Sequence, residues 1–491
     1  MKRTTLLIIS PILLVQVLIA QNDVDALRYS MTTFGGTARY TSMAGSFGSL
    51  GADFSTLSSN PAGIGLYSKS EFTITPSFFM GKTKSEFNNT LSEDYQYNFN
   101  IGNVGIVWVS ERNNNENSIF KNFQFGFGMN RLNNFNNRML MEGFNDKNSL
   151  IDTYVDNANG IPYQNIENDT YGAYAFDLNL AWWTFLIDTL DGSTDQYRGA
   201  LPAGGGVWQR KEINTWGSMN EMVISGGTNI QDRLYLGLTL GFPFIRYFEE
   251  SLYSEMDIRN DIFDFRKLTR YDELTTTGSG FNMKFGMIAR PTDWMRIGGA
   301  IHSPTWFGNM RDYWFTRISS EFDNGDAYSE WSPNGSYNYN LETPWRAIGS
   351  LSFILYQRAL LSADYEFVDF SRANLRAGDY SFYDENTEIR RKYTATHNIR
   401  LGGEMRFDQL AVRGGFGYSM SPFADKINDG ERYFYTGGFG YREKNFFIDI
   451  AYVRSMQKED YYFYGSPNVS FDPVKNSAIT NSLLITLGMR I

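Results

Sequence analysis

The residues best suited to chemistry in this sequence are arginines that recur within segments of alternating polarity. A period of two places their side chains on the face opposite the aliphatic residues. The arginines that share this face are Arg296, Arg346, Arg400, Arg406 and Arg413. Because a guanidinium removed from water is a good partner for a carboxylate, Arg346 and Arg400 are candidate contacts for the charged end of a ligand.

The same arginines also have a purely structural interpretation. Acidic residues fall on the same face of neighbouring segments, at Asp364, Glu366, Glu404 and Asp449. Opposite charges that share one face can pair with each other and fill an interior without contacting any ligand. The sequence leaves both interpretations open.

Few residues are available for catalysis or for binding a metal ion. The sequence has no cysteine, which excludes disulfides, thiolate metal sites, a thiol nucleophile and a lipid-modified cysteine. The two histidines, His302 and His397, lack the spacing of a metal, haem or triad site, so we interpret both as structural. We therefore expect no catalytic residue, no metal ion and no cofactor, and predict that the protein is not an enzyme. A net charge of −10 argues against a nucleic-acid partner.

Alternating polarity is the pattern that organises most of the chain. Aromatic residues make up 16% of the sequence, yet the mean hydropathy is only −0.37. Phe123, Phe125 and Phe127, for example, alternate with Gln124 and Gly126. Such a pattern predicts antiparallel strands with one face toward lipid and the other toward polar contents.

The connections between these segments distinguish a membrane barrel from a soluble sandwich. Short links at residues 408–409 and 443–445 alternate with long polar stretches at 421–432 and 457–477. Short turns at one end and long loops at the other are typical of outer-membrane barrels, and a closed barrel leaves no unpaired edge in lipid. We therefore predict an all-β fold, a transmembrane antiparallel β-barrel of about 14 strands over residues 68–491. Roughly 12 or 16 strands would fit the pattern too.

Residues 1–20 have the features of a secretory signal peptide. Lys2 and Arg3 precede a short apolar region that ends at the small residue Ala20. Ser10 and Pro11 interrupt the apolar region, which argues against the alternative of a membrane-anchoring helix. The sequence therefore predicts an exported protein.

Residues 21–67 lie ahead of the alternating segments and show little alternation themselves. Repeated glycines favour a compact, irregular backbone, and scattered apolar residues give it anchors, so we predict a small plug inside the barrel. At its end, Pro61 fixes the local backbone and Asn60 can hydrogen-bond to the nearby chain. The residues expected to hold or gate this plug are Phe47, Phe54, Asn60, Pro61, Ala62 and Gly63.

One region, at about residues 134–215, interrupts the alternation and predicts a long, partly helical extracellular insertion. Its residues 171–188 are too densely apolar for an ordinary exposed helix. This surface either packs onto the rim of the barrel or forms an outer groove where an apolar ligand first binds. The groove interpretation uses Phe176, Leu180, Trp182 and Trp183 as ligand contacts.

Several blocks of the sequence resemble the FadL/TodX family of outer-membrane transporters for hydrophobic compounds, in the form common in Bacteroidetes. The blocks are Gly35-Gly36-Thr37-Ala38-Arg39, Met43-Ala44-Gly45-Ser46-Phe47, Gly51-Ala52-Asp53-Phe54-Ser55-Thr56, Asn60-Pro61-Ala62-Gly63, Pro344-Trp345-Arg346-Ala347 and the segment 361–371. The amino-terminal blocks are the specific ones, since barrel strands look alike across families. The resemblance implies that residues 21–67 form a hatch inside a barrel of about 14 strands.

The resemblance also implies a route for the ligand. A hydrophobic molecule binds outside and passes to a pocket in the lumen. It then leaves sideways through an opening made by an inward kink of the third strand, with the Asn60-Pro61-Ala62 segment nearby. The third strand is expected at residues 121–133, where Gly126 and Gly128 permit a distortion although no proline marks one. A departure from the family is Ile491, where such barrels often carry an aromatic residue.

These observations predict a Gram-negative outer-membrane channel for passive uptake of hydrophobic small molecules such as long-chain fatty acids. The expected steps are capture at the outer groove, transfer to the lumen and hatch-dependent release. The expected partners are the hydrophobic ligand, outer-membrane lipid and lipopolysaccharide, and the barrel assembly machinery, with the protein itself a monomer. The alternative is a structural or surface-interaction barrel whose plug stays permanently closed.

Overall fold

The computed structural model describes residues 23–111, 118–202, 204–356, 358–426 and 428–491. The predicted signal peptide, residues 1–20, lies outside these residues. The strands are β1 Glu71–Phe87, β2 Thr90–Val109, β3 Phe120–Asn134, β4 Asn137–Asn145, β5 Ile187–Thr189, β6 Tyr197–Gly199, β7 Val207–Ile230, β8 Leu234–Met256, β9 Lys267–Thr292, β10 Met295–His302, β11 Trp306–Glu321, β12 Ala327–Trp331, β13 Gly335–Glu342, β14 Arg346–Leu355, β15 Ala359–Asp369, β16 Asn374–Arg376, β17 Ala395–Phe407, β18 Leu410–Ser419, β19 Arg432–Arg442, β20 Phe446–Tyr461 and β21 Val474–Arg490. The α-helices are α1 Asp23–Ser30, α2 Ala38–Thr41, α3 Leu150–Ala158, α4 Tyr163–Glu167, α5 Leu178–Trp183 and α6 Tyr383–Lys392. Short 3-10 helices cover Phe54–Ser58, Pro61–Leu66, Phe370–Arg372 and Ala424–Lys426.

The long strands form a closed antiparallel barrel of 14 strands, which confirms the predicted fold and strand number. Pairing of β1 with β21 joins the first barrel strand to the last and closes the ring. Some barrel strands consist of consecutive segments: β3 and β4 make the third, β10 and β11 the seventh, and β12 to β14 the eighth. A closed ring gives each strand a hydrogen-bonded neighbour on both sides over at least part of its length, and such pairing is what lipid requires.

The two faces of the barrel wall have the polarity that the alternation predicts. In β1, Phe72 and Phe78 point outward and are exposed, whereas Thr73 and Thr75 point into the lumen and are buried. Apolar residues therefore cover the outside and polar residues fill the inside, which is the reverse of a soluble core and suits a lipid surround. Within the described residues, no helix is both long enough and apolar enough to cross a membrane.

The two ends of the barrel differ. Tight turns at 231–233, 408–409 and 443–445 mark one end, which we call the tight-turn end. At the other end, β4 and β7 remain paired up to Asn145↔Val207, so the insertion between them covers 146–206 rather than the predicted 134–215. The prediction was too wide because these strand ends rise above the apolar belt, where both faces carry polar residues and the alternation fades.

Residues 23–67, which we call the hatch, contain helices and irregular backbone but no strand. Their hydrogen bonds reach widely separated barrel strands. Ala38 N donates to Thr486 Oγ1 of β21 at 2.7 Å, and Gly48 N donates to Asp364 Oδ2 of β15 at 3.0 Å. Contacts on distant parts of one ring place the hatch within the lumen, where its backbone polar groups find partners on the inward-facing side chains.

Candidate functional site

Asn60 anchors the carboxyl-terminal part of the hatch. Its side-chain oxygen accepts a hydrogen bond from Ala62 N at 3.1 Å and so caps the 3-10 helix Pro61–Leu66. Its amide nitrogen donates to Gly48 O at 2.5 Å and to Met287 O of β9 at 3.4 Å. Pro61 occupies the first helical position, where its fixed φ and missing N–H cost nothing. One buried side chain therefore joins two parts of the hatch to the barrel wall.

The Asn60-Pro61-Ala62-Gly63 block lies against β8 and β9, the fifth and sixth barrel strands. Gly237 of β8 and Gly286 of β9 make room for it, because a β-carbon on either would collide with Pro61 or Asn60. Ala62 packs against side chains of the same two strands. The block therefore packs mainly against β8 and β9, where glycines of a regular part of the wall provide close approach, while Ile64 of the same 3-10 helix also faces Gly126 of β3.

The predicted gating phenylalanines occupy two different clusters. The ring of Phe54 fills the space above Gly105 of β2 and Gly128 of β3, where a β-carbon on either glycine would collide with it. Phe47 instead packs with Tyr40 and other hatch side chains. Phe54 is thus the predicted hatch residue that contacts the third strand, and the glycines opposite it have a packing role.

The third barrel strand is broken at Phe135 and Asn136, between β3 and β4. Asn136 Nδ2 donates to Asn134 Oδ1 at 2.5 Å and to Gly217 O at 3.3 Å, so a side chain takes over part of the strand pairing. The ring of Phe135 is buried against Tyr29 of the hatch, with ring centroids 6.1 Å apart. Local asparagine hydrogen bonds and an inward aromatic ring accompany this break within the third strand, and Gly217 of β7 lies opposite it with a φ of +119°, a conformation that favours glycine.

Beside the break, the barrel wall loses strand pairing. Among the described residues, β2 pairs with β3 only from Asn103↔Asn130 to Val109↔Gln124, and the remainder of β2 pairs with β1 alone. The segment β4 instead lies near the lumen side of β1 and β2, where Asn88 Nδ2 donates to Phe144 O at 2.8 Å. The wall between β2 and the third strand is therefore interrupted above Asn103.

The hatch covers the edge of β3 that this interruption leaves unpaired. Thr33 N donates to Leu132 O at 2.8 Å, and Asn133 Nδ2 donates to Met31 O at 3.2 Å. Gly36 O approaches the β2 side, since a β-carbon on Gly102 would lie 3.2 Å from it. Residues 31–36 thus fill the place of a neighbouring strand without being continuous with the wall.

A cavity lies between this part of the hatch and the end of the barrel that carries the insertion, which we call the long-loop end. We call this cavity the lumen cavity. Its empty volume is about 1280 Å³, part of which is open to solvent. Its apolar lining includes Met31, Phe34, Leu132, Ile348, Phe370, Met420 and Phe434, and its charged lining includes Arg131, Glu221, Lys284, Arg346, Glu366, Arg400 and Arg432. The cavity therefore offers both an apolar wall and cations, as an amphiphilic ligand would require.

The two arginines predicted as ligand contacts, Arg346 and Arg400, both line the lumen cavity. Both also form salt bridges with Glu366, at 3.5 and 3.4 Å, and Arg346 hydrogen-bonds Ser30 O of the hatch. The shared carboxylate satisfies only part of their charge, so the role of these two side chains as ligand contacts stays a prediction.

Two further arginines that line the lumen cavity were not among the candidates identified from the sequence. Within the described residues, neither Arg131 nor Arg432 forms a salt bridge. Arg131 Nε donates to Ile101 O across the interrupted wall at 3.4 Å, and Arg432 lies near the Met31 sulfur, with Nη2 at 4.0 Å. Both could have been identified in the sequence as arginines near strand ends whose paired positions carry no acidic residue.

A ring nitrogen of each histidine lies within hydrogen-bond distance of another group of the protein. His302 is buried and its ring nitrogen Nε2 lies 2.6 Å from Ser59 O of the hatch. The His397 ring nitrogen Nδ1 lies 2.6 Å from the Tyr365 hydroxyl on a neighbouring strand. In the part of the chain that the structure describes, no group of three or more histidines and carboxylates is placed to hold a metal ion.

The insertion is mostly a packed subdomain above the rim. Leu180 of α5 is buried in its core, so the prediction that Leu180 contacts ligand in an outer groove is wrong. Phe176 lies against Trp314 of β11 and Trp182 stacks on Tyr163, with ring centroids 5.7 and 5.5 Å apart. Packing onto the rim therefore accounts for most of this apolar surface.

Some rings of the insertion nevertheless remain exposed. Trp183, Phe185 and Tyr171 are exposed by 44%, 54% and 84%. At the start of α5, burial raises the pKa of the Asp177 carboxyl, although Arg270 Nη1 donates to it at 2.7 Å. This contact ties the helix to β9, so the exposed rings project from a fixed support.

Replacing Asn60 by alanine is expected to loosen the hatch while leaving the barrel intact. The variant loses the helix cap and leaves the buried Gly48 carbonyl without its amide partner, a combined cost of about 2 kcal/mol. Hydrogen exchange measured by mass spectrometry should show faster exchange in hatch peptides and unchanged exchange in barrel strands. Asn324→Ala, in an exposed turn, is the matched control. Equal loosening of hatch and barrel would contradict the anchoring role.

Comparisons with known proteins give their matches at the level of structure. No family model matches the sequence, and no curated protein matches it. A Pseudomonas aeruginosa FadL homologue has 14% identity and a TM-score of 0.54, with 94% of this chain and 98% of that chain covered. The Pseudomonas putida toluene transporter TodX has 12% identity, a TM-score of 0.54 and coverage of 93% and 99%. The CymD monoaromatic hydrocarbon channel has 12% identity, a TM-score of 0.51 and coverage of 94% and 99%. The chain therefore has the fold of the FadL and TodX type of channel.

Proposed function

We propose that the protein is an outer-membrane channel for passive uptake of hydrophobic small molecules, such as long-chain fatty acids. A closed barrel with an apolar exterior fits a membrane, and the shared fold includes channels described as carrying toluene and monoaromatic hydrocarbons. The observation that carries the proposal is the interrupted wall between β2 and the third strand, next to the lumen cavity. An opening toward lipid suits a cargo that prefers lipid to water.

The proposed route runs from the lumen cavity to the interruption in the wall. Met31, Phe34 and Leu132 line the cavity, and the hatch residues among them also border the interruption. A molecule leaving sideways would have to displace residues 31–36 from the edge of β3. Few hydrogen bonds would break, because this contact rests on Thr33 and Asn133 rather than on a full strand ladder.

Capture outside is assigned to the exposed rings of the insertion. Trp183 and Phe185 offer apolar surface above the barrel rim, with Phe176 and Trp182 packed behind the same helix. Exposed aromatic rings on a fixed support are suited to first contact with an apolar ligand. For a fatty acid, Arg131 and Arg432 are the proposed partners of the carboxylate inside the cavity, since Lys284, Arg346 and Arg400 there already form salt bridges.

The surroundings follow from the same proposal. The exposed apolar belt would contact outer-membrane lipid, with lipopolysaccharide around the long-loop end, and the tight-turn end would face the periplasm. Export by the signal peptide and insertion by the barrel assembly machinery complete the proposed route to the membrane. We propose a monomer, because the ring of strands closes within a single chain.

The proposal is tested by uptake of radiolabelled oleate in Gram-negative cells that lack their own fatty-acid channel. Cells that produce the protein should take up oleate faster than cells that carry an empty vector, in proportion to the amount of folded barrel. Labelled toluene serves as an uncharged second ligand. Arg131→Gln and Arg432→Gln together should slow oleate uptake about tenfold and leave toluene unaffected. Uptake that equals the empty-vector level for both ligands would contradict a channel function.

A permanently closed structural barrel is the second candidate, favoured by the strength of the hatch attachment. Arg39 of the hatch forms a buried salt bridge with Glu404 of β17 at 3.1 Å. Burial lowers the pKa of Arg39, but the carboxylates of Glu404, Asp53 and Asp449 together outweigh burial and hold that pKa above its ordinary value. A hatch held by such contacts could stay in place, and fixing it covalently would then change nothing.

A further inference from the structure

A second cavity lies on the opposite side of the hatch, at the tight-turn end of the barrel. Hatch residues 50–52 and 66–67 form its roof. We call it the basic vestibule, because cations dominate its wall. The charged residues that line it are Arg39, Lys69, Glu71, Arg296, Arg358, Arg406, Arg442 and Arg490. These come from the hatch, from the segment between the hatch and β1, from both ends of the ring and from positions beside four other connections between strands. The fold therefore gathers positive charge that is scattered in the sequence.

Nearby carboxylates neutralise only part of this charge. The salt bridges at the wall are Arg39–Glu404, Arg406–Glu404, Arg490–Glu71 and Arg442–Asp449. Within the described residues, Lys69, Arg296 and Arg358 form no salt bridge, and Asp449 is shared with the buried Arg413. A strong positive potential therefore remains in the vestibule of a protein whose net charge is −10.

Two guanidinium groups of the vestibule also have unused donors. Arg296 Nη1 donates to Leu50 O of the hatch at 2.8 Å, but the buried Arg296 Nε has no acceptor among the described residues. Arg442 Nε likewise has no acceptor among the described residues, although Arg442 Nη2 lies 3.6 Å from Asp449 Oδ2. Buried polar groups are normally hydrogen-bonded, so two N–H donors without an acceptor show that this cationic wall has too few negative partners of its own.

We propose that the basic vestibule binds a small oxyanion, a carboxylate or a phosphate group. The planar guanidinium fork matches both groups, and unpaired cations on two sides can contact one anion together. Ile354 and Leu360 lie in the same wall, which gives room for a short apolar stem on the anion. The site does not depend on uptake of apolar molecules, because it lies on the other side of the hatch from the lumen cavity.

The test is isothermal titration calorimetry of the purified full-length barrel in an uncharged detergent at low salt. The probes are inorganic phosphate, hexanoate and hexanol. At least one of the two anions should bind, and binding should weaken as salt is added. Arg296→Gln with Arg358→Gln should reduce the affinity by about tenfold or more. Arg358→Gln alone should give a smaller loss of affinity. Because Arg358 is exposed, this single variant should keep the fold of the barrel, and gel migration with and without heating checks that it does.

Arg233→Gln is the matched control, since Arg233 lies in another tight turn at the same end and does not line the vestibule. It should leave binding unchanged. Binding of phosphate as well as hexanoate would assign the site to a free oxyanion, and binding of hexanoate alone to an oxyanion on an apolar stem. Three results would overturn the proposal: binding of neither anion, equal binding of hexanol, or equal affinity in the double variant and the Arg233 variant.

Discussion

A disulfide between the hatch and the barrel wall is expected to abolish uptake, and reduction of that disulfide is expected to restore it. Gly48→Cys combined with Ser350→Cys would place one thiol on the hatch and one on β14. Because Phe34 packs against the cluster of the same hatch that contains Tyr40 and Phe47, residues 31–36 should leave the edge of β3 only if residue 48 moves with them. A covalent tie at residue 48 should therefore lower uptake of oleate to the empty-vector level. Dithiothreitol should then return uptake to that of the unmodified protein.

The geometry favours this pair. A β-carbon added to Gly48 would lie 2.9 Å from the Ser350 β-carbon, and bonded cysteines need about 3.8 Å, so a shift of about 1 Å is enough. The natural chain has no cysteine, so these two thiols can react only with each other or with another molecule. The Gly48 carbonyl accepts a hydrogen bond from Asn60 Nδ2, so the disulfide would form in the part of the hatch that Asn60 anchors.

The controls separate hatch movement from misfolding. Each single cysteine variant contains the same substitution without the tie, and each should transport ligand whether or not reductant is present. Heat-dependent gel migration confirms that the double variant has assembled. If the oxidised double variant transports oleate as fast as the reduced one, residue 48 can stay fixed to the wall during transport and the coupled movement is refuted. If none of these proteins transports any ligand, the permanently closed barrel is favoured.

Loss of Arg413 is expected to destabilise the barrel by about 3 kcal/mol. Its guanidinium donates to Glu404 Oε2 and to Asp449 Oδ1, both at 2.6 Å, and all three side chains are fully buried. Arg413→Gln keeps most of the volume but removes the charge that these two carboxylates share. Breaking a buried ion pair from one side is costly because a charge remains without water or a full partner.

Arg406→Gln is the matched comparison for this prediction. Arg406 pairs with the same Glu404, also at 2.6 Å, but its side chain is 44% exposed. Water can replace that contact, so the expected loss is about 1 kcal/mol or less. Urea unfolding in detergent, followed by tryptophan fluorescence, measures both free energies. Equal losses in the two variants would show that burial does not determine the value of these pairs.

The barrel itself could be predicted because it rests on a local repeat. A period of two in polarity assigns each residue of a strand to the outside or the inside, and short and long connections then alternate between the ends. The sequence therefore sufficed for the all-β class and the strand number, and for a segment ahead of β1 without strands. It failed at the insertion boundary, where β4 and β7 continue with polar residues on both faces.

The interruption of the wall could not be located from the sequence. The expected signals were glycines in the third strand, yet Gly126 and Gly128 serve to seat Leu57 and Phe54 of the hatch. The break lies instead at Phe135 and Asn136, where a ring is drawn into an aromatic contact with the hatch. A contact between residues about a hundred positions apart has no signature in a local pattern.

For the arginines, the alternating pattern predicts which way each side chain points, whereas only the tertiary structure decides which acidic residue it contacts. Parity alone determined that Arg346, Arg400 and Arg413 point into the lumen, since neighbouring side chains of a strand must face opposite ways. Only the closed ring decided their partners: Glu366 for the first two, and Glu404 with Asp449 for the third. Likewise, the sequence determined a plugged barrel, whereas the ring brought distant cations together on both sides of the hatch. Charge pairing depends on distances of a few ångströms between strands far apart in the chain, and folding alone sets those distances.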